Sequence, residues 1–341
     1  MKGIVKTVLY VGLFALSALA AGGAYLYYLS LPVDSQDAEQ VAFRIDRGES
    51  VARIATRLEQ AGLLRSVLPF RAITRLSGTE TRIQRGNYAL GRDMSAMELH
   101  ERLISGSQVL TRVTIPEGRT TSQIARILER SEITDADSFR AAASDPELLA
   151  ELGVPAENAE GYLFPDTYLF PEDYPAELVV GSMVQGFFRT IDRIEPDHRE
   201  LAAEELHERV ILASIVEREY ITEEEAPLIA SVFYNRLNAG MRLESCATVV
   251  YVMTEEEGLA HPDRLFYRDL ERQSEYNTYL NSGLPPGPIA TPGAVALDAA
   301  FNPADSDYWF FVLRGPEARE HHFSRTLQEH NEATVLYLRT P

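Results

Sequence analysis

A single cysteine, Cys246, among 341 residues leaves no partner for an intramolecular disulfide, so the fold must rest on its core. Low-complexity tracts are also missing. With 45% apolar and 24% charged residues the chain reads as globular, not disordered. Positive charge is scarce. A net charge of -19 argues against nucleic acid, whose binding domains need a basic stripe, and solubility is its bland explanation. Metal-ligand spacings are absent too. Neither His-Glu-x-x-His nor Cys-x-x-Cys occurs, and the adjacent His321 and His322 do not amount to a ligand set, so neither a metal nor a cofactor is expected. The loop from Gly283 to Gly293 lacks the Gly-Lys-Ser/Thr ending of a phosphate loop, and its prolines suggest a stiff segment. Cys246 has no basic neighbour in sequence and reads as a packed thiol.

Charge is missing altogether from one stretch. After Lys2 and Lys6, Thr7 to Leu31 carries none, about the length of helix that crosses roughly 30 Å of hydrocarbon. Tyr25, Tyr27 and Tyr28 stand at its far end, where aromatic rings favour the interface. A cleaved signal peptide is the competing reading, because Ala18, Ala20 and Ala21 imitate a cleavage site. The run exceeds the usual 7–15 residues of a signal core, which favours an anchor. Lysines before the span and acids after it place the N-terminus in the cytoplasm and the remainder outside. The expected location is therefore the cytoplasmic membrane, crossed once.

Pro32 to Gln40 reads as a linker, followed by an internal repeat offset by 70 residues. Ile45, Gly48, Ser50, Ile54, Ala55, Leu58, Glu59 and Leu63 recur as Ile115, Gly118, Thr120, Ile124, Ala125, Leu128, Glu129 and Ile133. Each copy predicts a short strand, a glycine turn, a Ser or Thr cap, and a helix with one apolar face. Between the copies, residues 84–90 predict a strand, and Ser95 to about Ser105 a helix. Asp135 to Gly153 is helical by period, and Asn158 to Gly161 breaks it. Near the C-terminus, the aromatic and β-branched run Asp307 to Leu313 predicts a buried strand.

Val210 to Tyr220 predicts a helix, with a capping box restarting at Thr222-Glu223-Glu224-Glu225. On a helical projection Ile211, Leu212, Ile215 and Val216 share a face, with Glu219 in its middle and Glu217 roughly 200° away. Burial would raise the pKa of such a carboxyl, as a general acid near neutral pH requires. Glu208 also projects onto this face, and a buried Glu paired with Arg236 or Arg242 is the structural alternative.

Two resemblances sharpen this reading. Gly48-Glu49-Ser50-Val51-Ala52-Arg53-Ile54-Ala55 resembles the start of a LysM domain, a module that recognises N-acetylglucosamine chains. A structural repeat that binds no sugar stands beside it as an alternative. Leu212-Ala213-Ser214-Ile215-Val216-Glu217-Arg218-Glu219 resembles the signature helix of the endolytic murein transglycosylases, the YceG-like family. Further blocks agree: Glu160 to Tyr168, Val232 to Leu237, Tyr276 to Tyr279, Gly283 to Gly293, His322-Phe323-Ser324 and His330-Asn331. The resemblance maps the catalytic glutamate onto Glu219. The sequence departs from the family at Glu244, Cys246 and Ala247, where many members have Gln, Asp and Pro, while Thr248 is retained.

The expected architecture is α+β, with a transmembrane helix, small LysM-like modules and a mixed, largely helical catalytic domain with a short sheet. Boundaries fall at 1–31 for tip and anchor, 32–42 for the linker, 43–153 for the repeat region and 158–341 for the catalytic domain. The repeat copies lie near 43–68 and 113–143. The resemblance implies lytic cleavage of peptidoglycan, in which the muramyl 6-hydroxyl attacks its own anomeric carbon and leaves a 1,6-anhydro end. One glutamate then serves as acid and as base, and Glu217 cannot supply the second carboxylate of a hydrolase because i and i+2 diverge on a helix. Candidate sugar contacts are Asn235, Arg236, Thr248, Tyr276, Asn277, Tyr279 and His322. The resemblance also implies a role in terminating strand growth and leaves peptidoglycan synthases as candidate partners. Two competing readings remain: a water-using muramidase with a second carboxylate such as Asp166, and a non-catalytic peptidoglycan-binding scaffold anchored in the membrane.

Overall fold

The computed structural model describes residues 2–37, 40–46, 48–106, 109–315 and 317–338, with backbone alone for 2–10 and 338. It is a mostly helical α+β structure with three two-stranded sheets among these residues. Two compact units emerge: Met1–Thr111 with Pro171–Asp173, and Arg112–Phe170 with Tyr174–Pro341.

The first unit opens with α1 (Lys2–Ser30). Its stretch Val11–Ser30, with mean hydropathy 1.4, is long and apolar enough to cross a membrane, as a signal segment also is. The stretch expected as a free linker is tied at its start. Arg65 donates to the carbonyls of Pro32 (2.7 Å) and Val33 (2.8 Å) and lies over the Tyr28 ring. Strand β1 (Gln40–Ile45) pairs antiparallel with β2 (Gly86–Gly91). Around this ribbon pack α2 (Val51–Gln60), α3 (Val67–Leu76) and α4 (Ala96–Ser105), whose Ser95 and Glu98 form a capping box. Their core gathers Phe43, Ile54, Leu58, Leu63, Phe70, Tyr88 and Leu99.

The second unit begins with β3 (Leu110–Thr114) and α5 (Thr121–Arg130), and β3 pairs with β4 (Thr167–Pro171). The repeat survives at atomic level. Gly48 and Gly118 both adopt positive φ, 75° and 68°, which frees the turn from a Cβ clash. Ser50 accepts from Arg53 N–H and Thr120 from Gln123 N–H, capping α2 and α5 alike. Even the repeated acid makes the same bond in both copies. Glu59 accepts from Val67 N–H, and Glu129 from Ala136 N–H, each at 3.2 Å.

The helix expected over Asp135 to Gly153 is two, α6 (Ala136–Ala142) and α7 (Pro146–Leu152). Asp145 caps the second and Pro146 occupies its first turn, where a missing N–H costs nothing. Next come α8 (Ala176–Ile194) and α9 (Ala203–Val216), then α10 (Ala226–Asn238) and α11 (Cys246–Tyr251). The unit closes with α12 (Ala294–Phe301), β5 (Phe310–Leu313), β6 (His321–Ser324) and α13 (Leu327–Leu338). Strands β5 and β6 pair antiparallel, Phe311 opposite Phe323. Being one of only two strands, β5 is half-buried, not buried as its composition suggested. Helix α9 is sheathed by α10 and α12, which explains why every residue from Val210 to Val216 is buried.

Candidate active site

The candidate site begins where α9 ends. Glu217 N–H still reaches back four residues to Ala213 (2.8 Å), but Arg218 and Glu219 bond only three back, to Ile215 and Val216 (3.0 Å each). The helix expected to run to Tyr220 therefore stops at Val216 and passes into a turn, in which Tyr220 N–H also bonds Val216 O (3.0 Å). From this turn three successive side chains reach three different partners. Glu217 accepts from Gly293 N–H at 2.9 Å, Arg218 donates to Gly118 O at 3.3 Å, and Glu219 accepts from Ser245 Oγ at 2.5 Å.

Two of these bonds fasten the turn to the second repeat copy and the proline loop. Gly118 N–H donates to Thr291 O, and Thr291 N–H to Arg119 O, at 2.9 and 2.8 Å. A Cβ on Gly118 would sit 3.4 Å from Arg218 Cδ, whereas one on Gly48 would meet nothing within 4 Å. Burial raises Glu217 to about 7, against the Gly293 N–H that lowers it.

Glu219 faces a cleft of about 310 Å³. Its carboxyl is raised above the usual range chiefly by desolvation, while the Ser245 hydroxyl and the nearby His321 pull it down. Ser245 is buried and fixed from several sides. It caps α11 by accepting from Ala247 N–H (3.3 Å), and its own N–H donates to Thr278 Oγ1 (3.1 Å). The preceding Glu244 holds a left-handed φ of 54°, a conformation costly for a residue with a Cβ. Its carboxylate lies 3.5 Å from Arg236.

The far wall is built by β5 and β6. Thr222 makes no side-chain cap; Glu223–Glu225 form a 3-10 turn instead, and this turns the Glu225 carboxylate inward. That carboxylate accepts both from the backbone N–H of His321 and from its Nδ1, the latter at 3.0 Å. Phe311 meets the imidazole edge-on at 5.4 Å.

Of the residues expected to matter, Glu219, Arg236 and Tyr279 line this cleft together. Arg236 is also a bracket, donating to the carbonyls of Trp309 (2.8 Å) and Leu243 (2.9 Å) and lying over Phe310. Asn235 spends its amide on Ser306 O and Tyr308 O. Thr248 is buried between Ser245 O and Thr278, and buried Asn277 holds the carbonyls of Leu270 and Arg272. Tyr276 packs on Tyr251 at 4.8 Å, and His322 faces Tyr337 at 5.7 Å; neither lines the cleft. Asp166 bonds the N–H of Thr167 and also lies outside it, while Glu208 is exposed.

Sequence reasoning missed Ser245, Glu225 and His321. The His321-His322 doublet was the one available signal, and the structure selects the first of the two. Cys246, expected as a packed thiol, is exposed at the cleft with Sγ 3.2 Å from Tyr279 Oη. A larger groove of about 910 Å³ lies between α9, α10 and Leu284-Pro285, but its charged pair Glu205–Arg209 is already joined at 2.7 Å. We place the chemistry in the smaller cleft, because only there does a desolvated carboxyl meet a histidine. Among the described residues no group of His, Cys, Asp and Glu is arranged to hold a metal ion.

The sequence profile of the YceG-like family matches residues 43–335, and the chain belongs to that family. More particularly, it is 32% identical over 340 residues to the endolytic murein transglycosylase of Bacillus subtilis, covering 94% of this chain and 91% of that protein. Against the endolytic murein transglycosylase of Streptococcus pneumoniae D39 the identity is also 32%, over 93% of this chain and 62% of the longer relative. The crystal structure of a yceG-like protein from Listeria monocytogenes superposes with a TM-score of 0.57 at 32% identity, covering 86% of this chain and 99% of that one.

Proposed function

We propose that this chain is a lytic transglycosylase that cuts the bond between N-acetylmuramic acid and N-acetylglucosamine in peptidoglycan strands. The observation that carries the reading is Glu219, a carboxyl whose pKa burial raises, facing a cleft of about 310 Å³. Family membership and the relatives' activity supply the substrate class.

Glu219 donates its proton to the glycosidic oxygen as that oxygen's bond to the anomeric carbon breaks; the muramyl 6-oxygen then closes on the same carbon and its proton passes to the Glu219 carboxylate, which restores the acid. The nucleophile belongs to the substrate, so no second carboxylate need stand across the bond. Glu244, the other acid at the cleft, faces Arg236, consistent with that economy. Tyr279 and Arg236 are the sugar contacts this geometry favours. Asn235, Thr248 and Asn277 act through the framework.

The apolar α1 anchors the enzyme in the cytoplasmic membrane with the catalytic unit outside, where emerging strands are cut and their growth ended. Peptidoglycan synthases are the partners this position implies, and the strand–glycine–helix units are the candidate glycan-reading modules.

The test is mass spectrometry of purified glycan strands incubated with the full chain in detergent, beside Glu219→Gln. Anhydro-muramyl ends from the wild type alone support the reading. Reducing muramyl ends would replace it with hydrolysis, and strand binding without cleavage would replace it with the scaffold.

A further inference from the structure

The negative charge of the chain is unevenly spread. From Arg65 to Arg92 the sequence holds six arginines and a single acid, Glu80. Two of these arginines, Arg71 and Arg75, lie on α3. The inner face of that helix packs Phe70 and Ile73 into the core of the first unit. Its outer face is Leu68, Arg71, Ala72, Arg75 and Leu76, spaced i, i+3, i+4, i+7 and i+8, and all five are exposed. Water is a poor match for that face. Leu68 is 53% exposed and Leu76 89%, and among the described residues neither arginine meets a carboxylate. Leucine interleaved with arginine suits the boundary of a bilayer, where apolar side chains enter the acyl region and guanidinium groups stay with the headgroups.

The place of α3 in the first unit points the same way. Arg65 immediately precedes the Ser66 cap of α3, donates to Pro32 O and Val33 O, and reaches Tyr28 Oη at 3.2 Å. The apolar stretch of α1 ends at Ser30. Helix α3 therefore starts beside the point where α1 leaves the hydrocarbon, at the depth that Tyr25, Tyr27 and Tyr28 mark. We propose that the outer face of α3 docks on the anionic phospholipid headgroups of the leaflet from which α1 emerges. This rests on the anchor reading of α1 and is independent of the glycan chemistry. Leu68 and Leu76 stand eight residues apart, about 12 Å along the axis, so the helix lies along the surface and does not enter it end-on. A single span leaves the attached unit free to swivel. The second contact beside it fixes which side of the unit faces the membrane.

The experiment reconstitutes the full chain in vesicles whose acyl chains are brominated, either phosphatidylcholine alone or phosphatidylcholine with phosphatidylglycerol. Leu76→Trp is the reporter, and the unsubstituted chain, whose one tryptophan is Trp309, sets the baseline. Leu76 is exposed, so the substitution leaves the core alone. We expect the bromines to quench the added tryptophan, and more strongly with phosphatidylglycerol present. Each arginine beside an anionic surface is worth about a fivefold preference. Arg71→Gln and Arg75→Gln together should therefore lower the docked-to-free ratio about 25-fold and restore most of the emission, and added salt should act in the same direction. Quenching that ignores both headgroup charge and the two arginines would overturn the proposal, because α1 alone would then hold the face near lipid. So would a reporter that stays bright in a chain that floats with the vesicles. Failure to float would remove the anchor reading and the docking together. Emission that responds to purified glycan strands and not to brominated lipid would reassign the face to glycan.

Discussion

Ser245→Ala separates two jobs held by one oxygen. The hydroxyl donates to Glu219 at 2.5 Å and accepts from Ala247 N–H at 3.3 Å. The first bond favours the ionised carboxylate, so removing it raises the Glu219 pKa further. Hydrogen bonds to charged groups contribute about 1.5–3 kcal/mol net. Glu219 is half-buried and open to the cleft, so the lower end applies, and about 1.4 kcal/mol corresponds to one pH unit. A general acid must be protonated to act, so the alkaline limb of the rate profile is expected to move up by about one unit. The second bond is a helix cap, worth about 1 kcal/mol, so a thermal midpoint a few degrees lower is expected independently. Initial rates of anhydro-end release between pH 4 and 10, with a melting curve of the same sample, read both effects. A lowered midpoint with an unmoved alkaline limb would show that Ser245 is only a cap, and a limb moving down would reverse the assigned sign.

Two further outcomes concern the framework. Buried Glu160 is raised to about 8 mainly by desolvation, although Thr121 N–H lowers it. The folded state thus keeps a proton that the unfolded chain releases near pH 4.5, and stability falls as pH rises from there to about 8. Glu160→Gln cannot ionise, so it should remove a loss on the order of 4 kcal/mol, read as closer urea midpoints at pH 5 and 8.5. An unchanged slope refutes this. Gly161 has φ 83°, and a Cβ there would lie 2.6 Å from Pro288 and 3.0 Å from Val210. Gly161→Ala should cost about 2–4 kcal/mol from strain and overpacking together, and a urea midpoint near wild type would contradict it.

What was legible in the sequence was what depends on neighbours a few residues apart. The 70-residue repeat, its glycine turns, its caps and the α4 capping box are local, and each is present. Glu219 was legible as a carboxyl among apolar neighbours, although the wheel that pointed to it assumes a helix that in fact ends at Val216. The Asp145-Pro146 restart was also local, but its apolar period runs through the break and hides it. Thr222 looked like a cap because the pattern fits one, yet the chain there forms a 3-10 turn that sends Glu225 to a strand 96 residues away. Nothing local announces such a pairing. For the same reason nothing in the sequence signals that the amides of Asn235 and Asn277 hold backbone carbonyls of other segments.

The two copies of the strand–glycine–helix unit have come to stand under different constraint. In the copy holding Gly48, a Cβ added at the turn glycine would meet nothing within 4 Å. In the copy holding Gly118, the same turn has become part of the enzyme's mounting, fastened to Arg218 and Thr291 beside the acid. The second copy's turn therefore supports the segment that carries Glu219, which the first copy's turn does not contact through its glycine. Chimeras that exchange the first copy are expected to retain activity, and those that exchange the second to lose it.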